Sequence, residues 1–336
     1  MELSFVYAVC RKGSEPFLKA EMAQRHGDRF VPAFMRPQLV TWKASAPLPG
    51  DFCPGFSFAR NWGFSLGLVP ELGAIGKRWS ERMGDAGGGP ARWDVYPRQV
   101  PDEGVASEVW ADLMQMRDQL PVVGDNPWIG EVIAGAPDEP MLLGARPLAG
   151  LGPVSLGGIA RVTLPPDSPS RAWLKVEQAL AWAGWDQEAF WLGKTALELG
   201  SAPGGISLAL VRRGLQVEAI DPAPMHPSVL VETGPGGAKV HHRQQPIGSL
   251  NRESWVRPVD LLVSDMNLAP PAVIRYLERL QPCVRAPRWI VTLKLNDAMM
   301  VSRLPDFRER LGRTAPAPLR VVQLAANRQE VTVIAG

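Results

Sequence analysis

Two lysines and two acids stand out in this sequence because each interrupts or borders an apolar run. Lys175 lies in "SRAWLKVEQAL", Asp265 closes "DLLVSD", Lys294 sits inside "WIVTLKL" and Glu330 opens "EVTVIAG". These types suit removal of a proton from a weakly acidic hydroxyl. A lysine becomes a base near neutral pH when burial or a neighbouring cation lowers its pKa. A second lysine acts in that direction, and two carboxylates orient both ammonium groups while keeping the site near charge balance. If the hydroxyl attacks a methyl group already activated on a sulfonium, the protein has only to position the acceptor and take its proton.

A second stretch supplies the other half of such a reaction. "ALELGSAPGG" runs from an apolar segment into Gly200, Ser201, Ala202, Pro203, Gly204 and Gly205. Glycines there let the backbone approach a ligand closely. The helix expected to follow offers free N–H groups. The next apolar segment, "VEAID", ends in Asp221, where an acid accepts hydrogen bonds from ribose hydroxyls. A dinucleotide fingerprint needs GxGxxG, which is absent. Glu198-Leu199-Gly200, the small-residue turn and the downstream acid fit S-adenosylmethionine better. A structural strand-to-helix turn with a surface Asp221 is the other reading of the same residues.

The elements that position these residues follow from periodicity. From Arg161 onward, "SRAWLKVEQALAWAG" reads as a helix, "KTALELG" as a strand, "GGISLALVRRG" as a helix and "QVEAID" as a strand. "KVHH", "PVDLLVSDM", "RWIVTLKL", "LRVVQLAA" and "QEVTVIAG" read as further strands, with "PPAVIRYLERL" and "DFRERLG" as helices. That alternation predicts a doubly wound α/β domain. Ligands of such sheets bind beyond the carboxyl ends of the strands. Upstream, "LSFVYAVC" reads as a strand. "GSEPFLKAEMAQRHG" reads as a helix capped by Ser14 and stopped by Gly27. "FVPAFMRPQLVTWKA", "FARNWGFSLGLVPEL" and "ARWDVYPRQV" supply strands, "GDAGGGPAR" a flexible loop and "ASEVWADLMQMRDQL" an amphipathic helix. Residues 120–160 read as strands and turns.

The bulk composition sets the frame. With 336 residues, 46% hydrophobic and only 21% charged, the chain has enough apolar mass for more than one core and is neither disordered nor a coiled coil. Formal net charge is +2, too small to argue for nucleic acid by itself. Residues 1–160 carry 15 basic and 18 acidic side chains, a net of −3, and residues 161–336 carry 21 and 16, a net of +5. An anionic partner is therefore better matched to the second half. Cys10, Cys53 and Cys283 are far apart and form no CxxC pair, so neither a zinc site nor a disulfide framework is supported. A reducing, cytoplasmic setting fits. Neither a signal peptide nor a membrane span is recognised.

The segments "SRAWLKVEQAL", "ALELGSAPGG", "AIDPAPM", "DLLVSDM", "WIVTLKL" and "RQEVTVIA" resemble the FtsJ-like ribose 2′-O-methyltransferase family. The resemblance is highly specific across the C-terminal half and weaker before it. It implies a Rossmann-like class I S-adenosylmethionine-dependent methyltransferase domain at 161–336. An α+β region precedes it, with a ferredoxin-like subdomain at 1–75 and a THUMP-like RNA-recognition subdomain at 76–160. It implies a Lys–Asp–Lys–Glu tetrad on Lys175, Asp265, Lys294 and Glu330. Lys294 would be the general base, Lys175 and Asp265 would tune it, and Glu330 would orient the acceptor side. Gly200 to Gly205, Asp221, Gln244 and Asp265 would hold the cofactor, with no metal. The implied partner is RNA, namely a cytidine of large-subunit rRNA, with no DNA and no membrane. A monomer is expected. The chain departs from the family at Glu198 (usually Asp), Ile206 (usually a bulky aromatic), Ala172 (usually Ser) and Gln244 (usually an acid facing adenine). Two other classes stay open: a same-fold enzyme for another RNA or a small molecule, and a non-catalytic binding protein. The extra N-terminal 160 residues argue against a small substrate, and an intact tetrad argues against mere binding.

Overall fold

Strands of four to eleven residues line up into two sheets. The computed structural model describes residues 3–84, 88–101, 105–121, 123–136, 138–149, 155–250, 258–295 and 298–336. It divides into two compact units, residues 1–161 and 162–336.

The first unit contains β1 (Phe5–Cys10), α1 (Glu15–His26), β2 (Phe30–Arg36), β3 (Leu39–Ala44), β4 (Ala59–Val69), α2 (Ile75–Met83), β5 (Pro90–Pro97), α3 (Ser107–Asp118), β6 (Asn126–Ala134) and β7 (Met141–Pro147). Its strands form one sheet in the order β2-β3-β1-β4-β7-β6-β5. β4 pairs with β7, so strands from 1–75 and from 76–160 share that sheet. Only β5 and β6 are parallel, with α3 between them in sequence. Such a parallel connection needs a crossover element. On one face Glu131 is fully buried and accepts hydrogen bonds from Tyr7, Asn61 and Arg146, while Arg146 also pairs with Asp94 at 3.0 Å. A charge taken out of water needs this many partners.

Two local expectations change here. Ser14 occupies the position before α1, but its hydroxyl makes no capping bond; Pro16 near the helix start and Gly27 (φ 55°) after its end set the limits. α2 falls in a stretch to which the sequence reading assigned no element. Ile75, Trp79 and Met83, four apart, nevertheless form its buried stripe. In the expected "GDAGGGPAR" loop, residues 85–87 lie outside the described residues, and Pro90 to Arg92 already belong to β5.

The second unit contains α4 (Ala172–Ala183), α5 (Glu188–Trp191), β8 (Thr195–Leu199), α6 (Gly205–Arg212), β9 (Gln216–Asp221), α7 (Pro227–Val231), β10 (Val240–Gln244), β11 (Leu261–Ser264), α8 (Pro270–Leu280), β12 (Trp289–Lys294), α9 (Ala298–Ser302), α10 (Leu304–Gly312), β13 (Leu319–Val322) and β14 (Glu330–Ala335). The sheet order is β10-β9-β8-β11-β12-β14-β13. The first five strands in that order are parallel, and β14 runs antiparallel between β12 and β13. Ala196, Val217, Val263, Ile290 and Ile334 pack with Val176, Leu180 and Leu210 of the helices into one core. Parallel strands buried on both faces read as continuous apolar runs, which is why "LLVS" carries no polar alternation. β13 stops at Val322, short of the expected "LRVVQLAA", because Gln323 to Gln329 form a loop whose amides are taken elsewhere. No helix among the described residues is long and apolar enough to cross a membrane.

Strand order reverses between β8 and β11, so the carboxyl ends of β8, β9, β11 and β12 open onto the usual ligand crevice. β14 is antiparallel, so its amino end lies at that same edge. Lys294, the last residue of β12, pairs in register with Glu330, the first of β14.

Candidate active site

The four tetrad residues arrive from four elements: Lys175 from α4, Asp265 from the turn after β11, Lys294 from β12 and Glu330 from β14. They close into a ring of ion pairs. Lys175 Nζ lies 3.0 Å from Asp265 Oδ2 and 2.8 Å from Glu330 Oε1. Lys294 Nζ lies 2.8 Å from Asp265 Oδ1 and 2.7 Å from Glu330 Oε2. Each carboxylate thus bridges both ammonium groups, and Asp265 Oδ1 accepts from both, since Lys175 Nζ also reaches it at 3.2 Å. The side chains are 8–16% exposed, which leaves water little room to screen the ring.

The electrostatics run against one expectation. Burial pulls the Lys294 ammonium towards neutrality, but Asp265 and Glu330 outweigh it, and its pKa lies above the ordinary lysine value. Glu330 goes the other way: burial would raise it, yet Lys175 and Lys294 hold it below the usual carboxylate range. The second lysine does not make the first a neutral amine, because two direct carboxylate contacts exceed one like charge across the ring.

Beside the ring, the chain turns sharply after β8. Gly200 (φ 80°) passes so close to Asp265 and Met266 that a Cβ would lie 2.7 Å from the Met266 backbone. Gly204 (φ 113°) opens α6 in a conformation that L side chains rarely adopt, and a Cβ there would meet the Met225 sulfur at 2.4 Å. Asp221, at the end of β9, accepts from the backbone N–H of Ala202 at 3.1 Å and of Ala223 at 2.8 Å. It therefore fastens the SAPGG turn, and each oxygen keeps a lone pair for a ligand hydroxyl. Gln244 is exposed at the end of β10 and donates to the Pro222 carbonyl at 3.3 Å.

Glu198, on β8, is buried. It accepts from the Ser207 hydroxyl, while its Oε1 is buried without a partner. Burial foremost, with Asp265 and Asp221 adding to it, pushes its carboxyl up to about 8. The hydroxyls of Ser201 and Ser264 are also buried and unpartnered. Unsatisfied acceptors and three acids converging on one crevice suit a ligand that brings donors and positive charge. S-adenosylmethionine, with its amino group and sulfonium, fits that description. No cluster among the described residues has the His, Cys, Asp and Glu content to hold a metal ion.

Two residues that sequence reasoning left out also shape this region. Gln178 lies three residues beyond Lys175 on α4, and Asn327 is fully buried in the loop before β14. Helical spacing from Lys175 is a signal that could have found the first; nothing local distinguishes the second.

Residues 169–292 match the FtsJ-like methyltransferase family, so the second unit carries an FtsJ-like methyltransferase domain. Along its whole length the chain is similar to proteins named Ribosomal RNA large subunit methyltransferase M. The one from Azoarcus sp. (strain BH72) is 26% identical over 366 residues, spanning 98% of this chain and 95% of the relative. The one from Halorhodospira halophila is 29% identical over 355 residues, spanning 100% and 97%. The one from Laribacter hongkongensis is 36% identical over 185 residues, spanning 52% and 50%.

Proposed function

We propose that this chain is an S-adenosylmethionine-dependent ribose 2′-O-methyltransferase that modifies a cytidine of large-subunit rRNA. The observation that carries the reading is the closed Lys175–Asp265–Lys294–Glu330 ring at the strand edge, beside the SAPGG turn of an FtsJ-like domain. The names of the full-length relatives support rRNA as the substrate class. The ferredoxin-like (1–75) and THUMP-like (76–160) regions would present that RNA. The reading has the protein act as a monomer in the cytoplasm, with neither DNA nor a membrane as partner.

In this scheme Gly200 to Gly205 cradle the cofactor, Asp221 and Gln244 hold its nucleoside, and Glu198 and Asp265 face its charged end. When bound, S-adenosylmethionine supplies a methyl group already activated for displacement. The chain's own task is to position the ribose hydroxyl and take its proton. Because the ring holds Lys294 charged, the ring must first open. An acceptor oxygen that replaces one carboxylate contact removes part of what stabilises the ammonium. Lys294 then sheds a proton to solvent, and the free amine accepts the proton of the hydroxyl as the oxygen attacks. Lys175 keeps the displaced carboxylate in place.

Purified protein, labelled S-adenosylmethionine and large-subunit rRNA test the reading. Nucleoside mass spectrometry should find 2′-O-methylcytidine. A methyl group on a base, or no transfer to rRNA, would overturn it.

A further inference from the structure

We infer that Gln178 and Asn327 are positioning residues that set the ring through the β13–β14 loop, an inference that rests on Lys294 being the base. Gln178 shares a face of α4 with Lys175. Its Oε1 accepts from the Ala326 backbone N–H at 2.7 Å, so the helix that carries Lys175 also holds the loop that delivers Glu330. Asn327 sits inside that loop with no exposure. Its Oδ1 accepts from the Leu324 N–H at 2.8 Å and from the Thr332 hydroxyl at 3.0 Å. Thr332 projects from the same face of β14 as Glu330, two residues on. On the other side, Gln323 donates to the Arg328 carbonyl at 3.0 Å, and the Leu295 N–H donates to the Gln329 carbonyl at 2.7 Å.

These bonds bracket Glu330. Its carboxylate has to reach two ammonium groups at once, at 2.8 and 2.7 Å. A displacement of about 1 Å takes at least one of them out of hydrogen-bond range. A seven-residue connection without internal ties samples many conformations. Gln178 removes that freedom from the helix side and Asn327 from the strand side. The Asn327 Nδ2 is buried without a partner, an unfavourable arrangement retained alongside the two bonds its carbonyl oxygen accepts. Neither residue is a catalytic residue; both act through Glu330.

The full-length protein tests this with Gln178→Ala, Gln178→Glu and Asn327→Ala. Turnover on rRNA is followed against pH, S-adenosylmethionine affinity by calorimetry and folding by thermal melting. In Gln178→Ala, a loosened Glu330 grips Lys294 less well, so the acid limb of the kcat profile moves down by on the order of one pH unit. Its maximal kcat falls on the order of tenfold or more. Cofactor affinity stays at the native value, since the SAPGG turn and Asp221 lie on other elements. Gln178→Glu keeps an acceptor for the Ala326 amide, so kcat recovers and the limb sits at or above its native position. Asn327→Ala, if it melts like the native protein, repeats the Gln178→Ala pattern. An unmoved limb in Gln178→Ala, with kcat intact or reduced only in proportion to the folded fraction, overturns the inference. If instead the native protein makes no 2′-O-methyl product, or Lys294→Ala retains turnover, the functional reading fails and takes this inference with it.

Discussion

Changing Glu330 to Gln removes one charge from the ring and preserves its shape. The lost charge sits 2.7 Å from Lys294 Nζ. At an effective dielectric of about 20 such a pair is worth ~6 kcal/mol before solvation is counted. Solvation absorbs most of that, and one opposite charge at this range shifts a pKa by about 1–3 units. Each unit corresponds to about 1.4 kcal/mol. With Glu330→Gln, two ammonium groups share Asp265 alone, so the acid limb of kcat moves to lower pH by about 1–3 units. Lys175→Met leaves two carboxylates on one lysine, and the limb moves up. The double variant Glu330→Gln/Lys175→Met pairs Lys294 with Asp265 only and brings the limb back towards its native position. The assay is single-turnover methylation of rRNA between acid and alkaline pH with saturating cofactor. The two single variants moving in the same direction, or a double variant shifted further than either, would refute the charge-balance argument. Stability follows the same signs. The depressed Glu330 pKa contributes stability above the ordinary carboxylate range and loses it as pH falls through the lowered value. The raised Lys294 pKa contributes below the ordinary lysine value and loses it as pH climbs through the raised one. The Tm gap between native protein and Glu330→Gln is therefore widest near neutrality and closes in acid.

Lys294→Ala should abolish methyl transfer and leave calorimetric binding of S-adenosylmethionine intact; normal turnover with lost affinity would reverse its assignment. Asp221→Ala frees the Ala202 and Ala223 amides and removes the ribose partner, so cofactor affinity should fall by on the order of tenfold or more, about 1.4 kcal/mol or more. An unchanged dissociation constant in calorimetry would count against Asp221. Glu198→Gln should raise Tm in the cofactor-free protein. A carboxyl pushed up to about 8 by burial costs stability as pH rises from its unfolded value of 4.5 towards 8, so the advantage grows across that window and levels off above it. A Tm difference that is flat with pH would show that Glu198 does not titrate in this window.

The second sheet was legible because its strands are uninterrupted apolar runs between polar turns, and "TALEL", "VEAID", "LLVS" and "WIVTLK" became strands at the expected places. Lys175, Asp265, Lys294 and Glu330 were legible as oddities against those runs. Their closure into a ring was not, because it depends on the antiparallel register that sets Glu330 opposite Lys294. The direction of the Lys294 shift was read wrongly for the same reason. Sequence counts charges, but the sign depends on which of them touch. α2 was missed because its apolar stripe is only three residues long, Ile75, Trp79 and Met83, and Ser14 was credited with a cap that its side chain does not make. Asn327 had no local signal, since its partners lie before and after it on a folded-back loop.

The ring's two positive and two negative charges sum to zero within a few ångströms. Such an arrangement has almost no field at the distances over which a polyanion is drawn in, where only uncompensated charge acts. On the proposed reading, the ring is thus electrically silent to approaching RNA and interacts strongly only on contact. On that reading, capture and chemistry would divide between different parts of the molecule. Salt should weaken the first through surface charges elsewhere and barely touch the second. KM for rRNA would climb with ionic strength while the single-turnover rate at saturation stayed level.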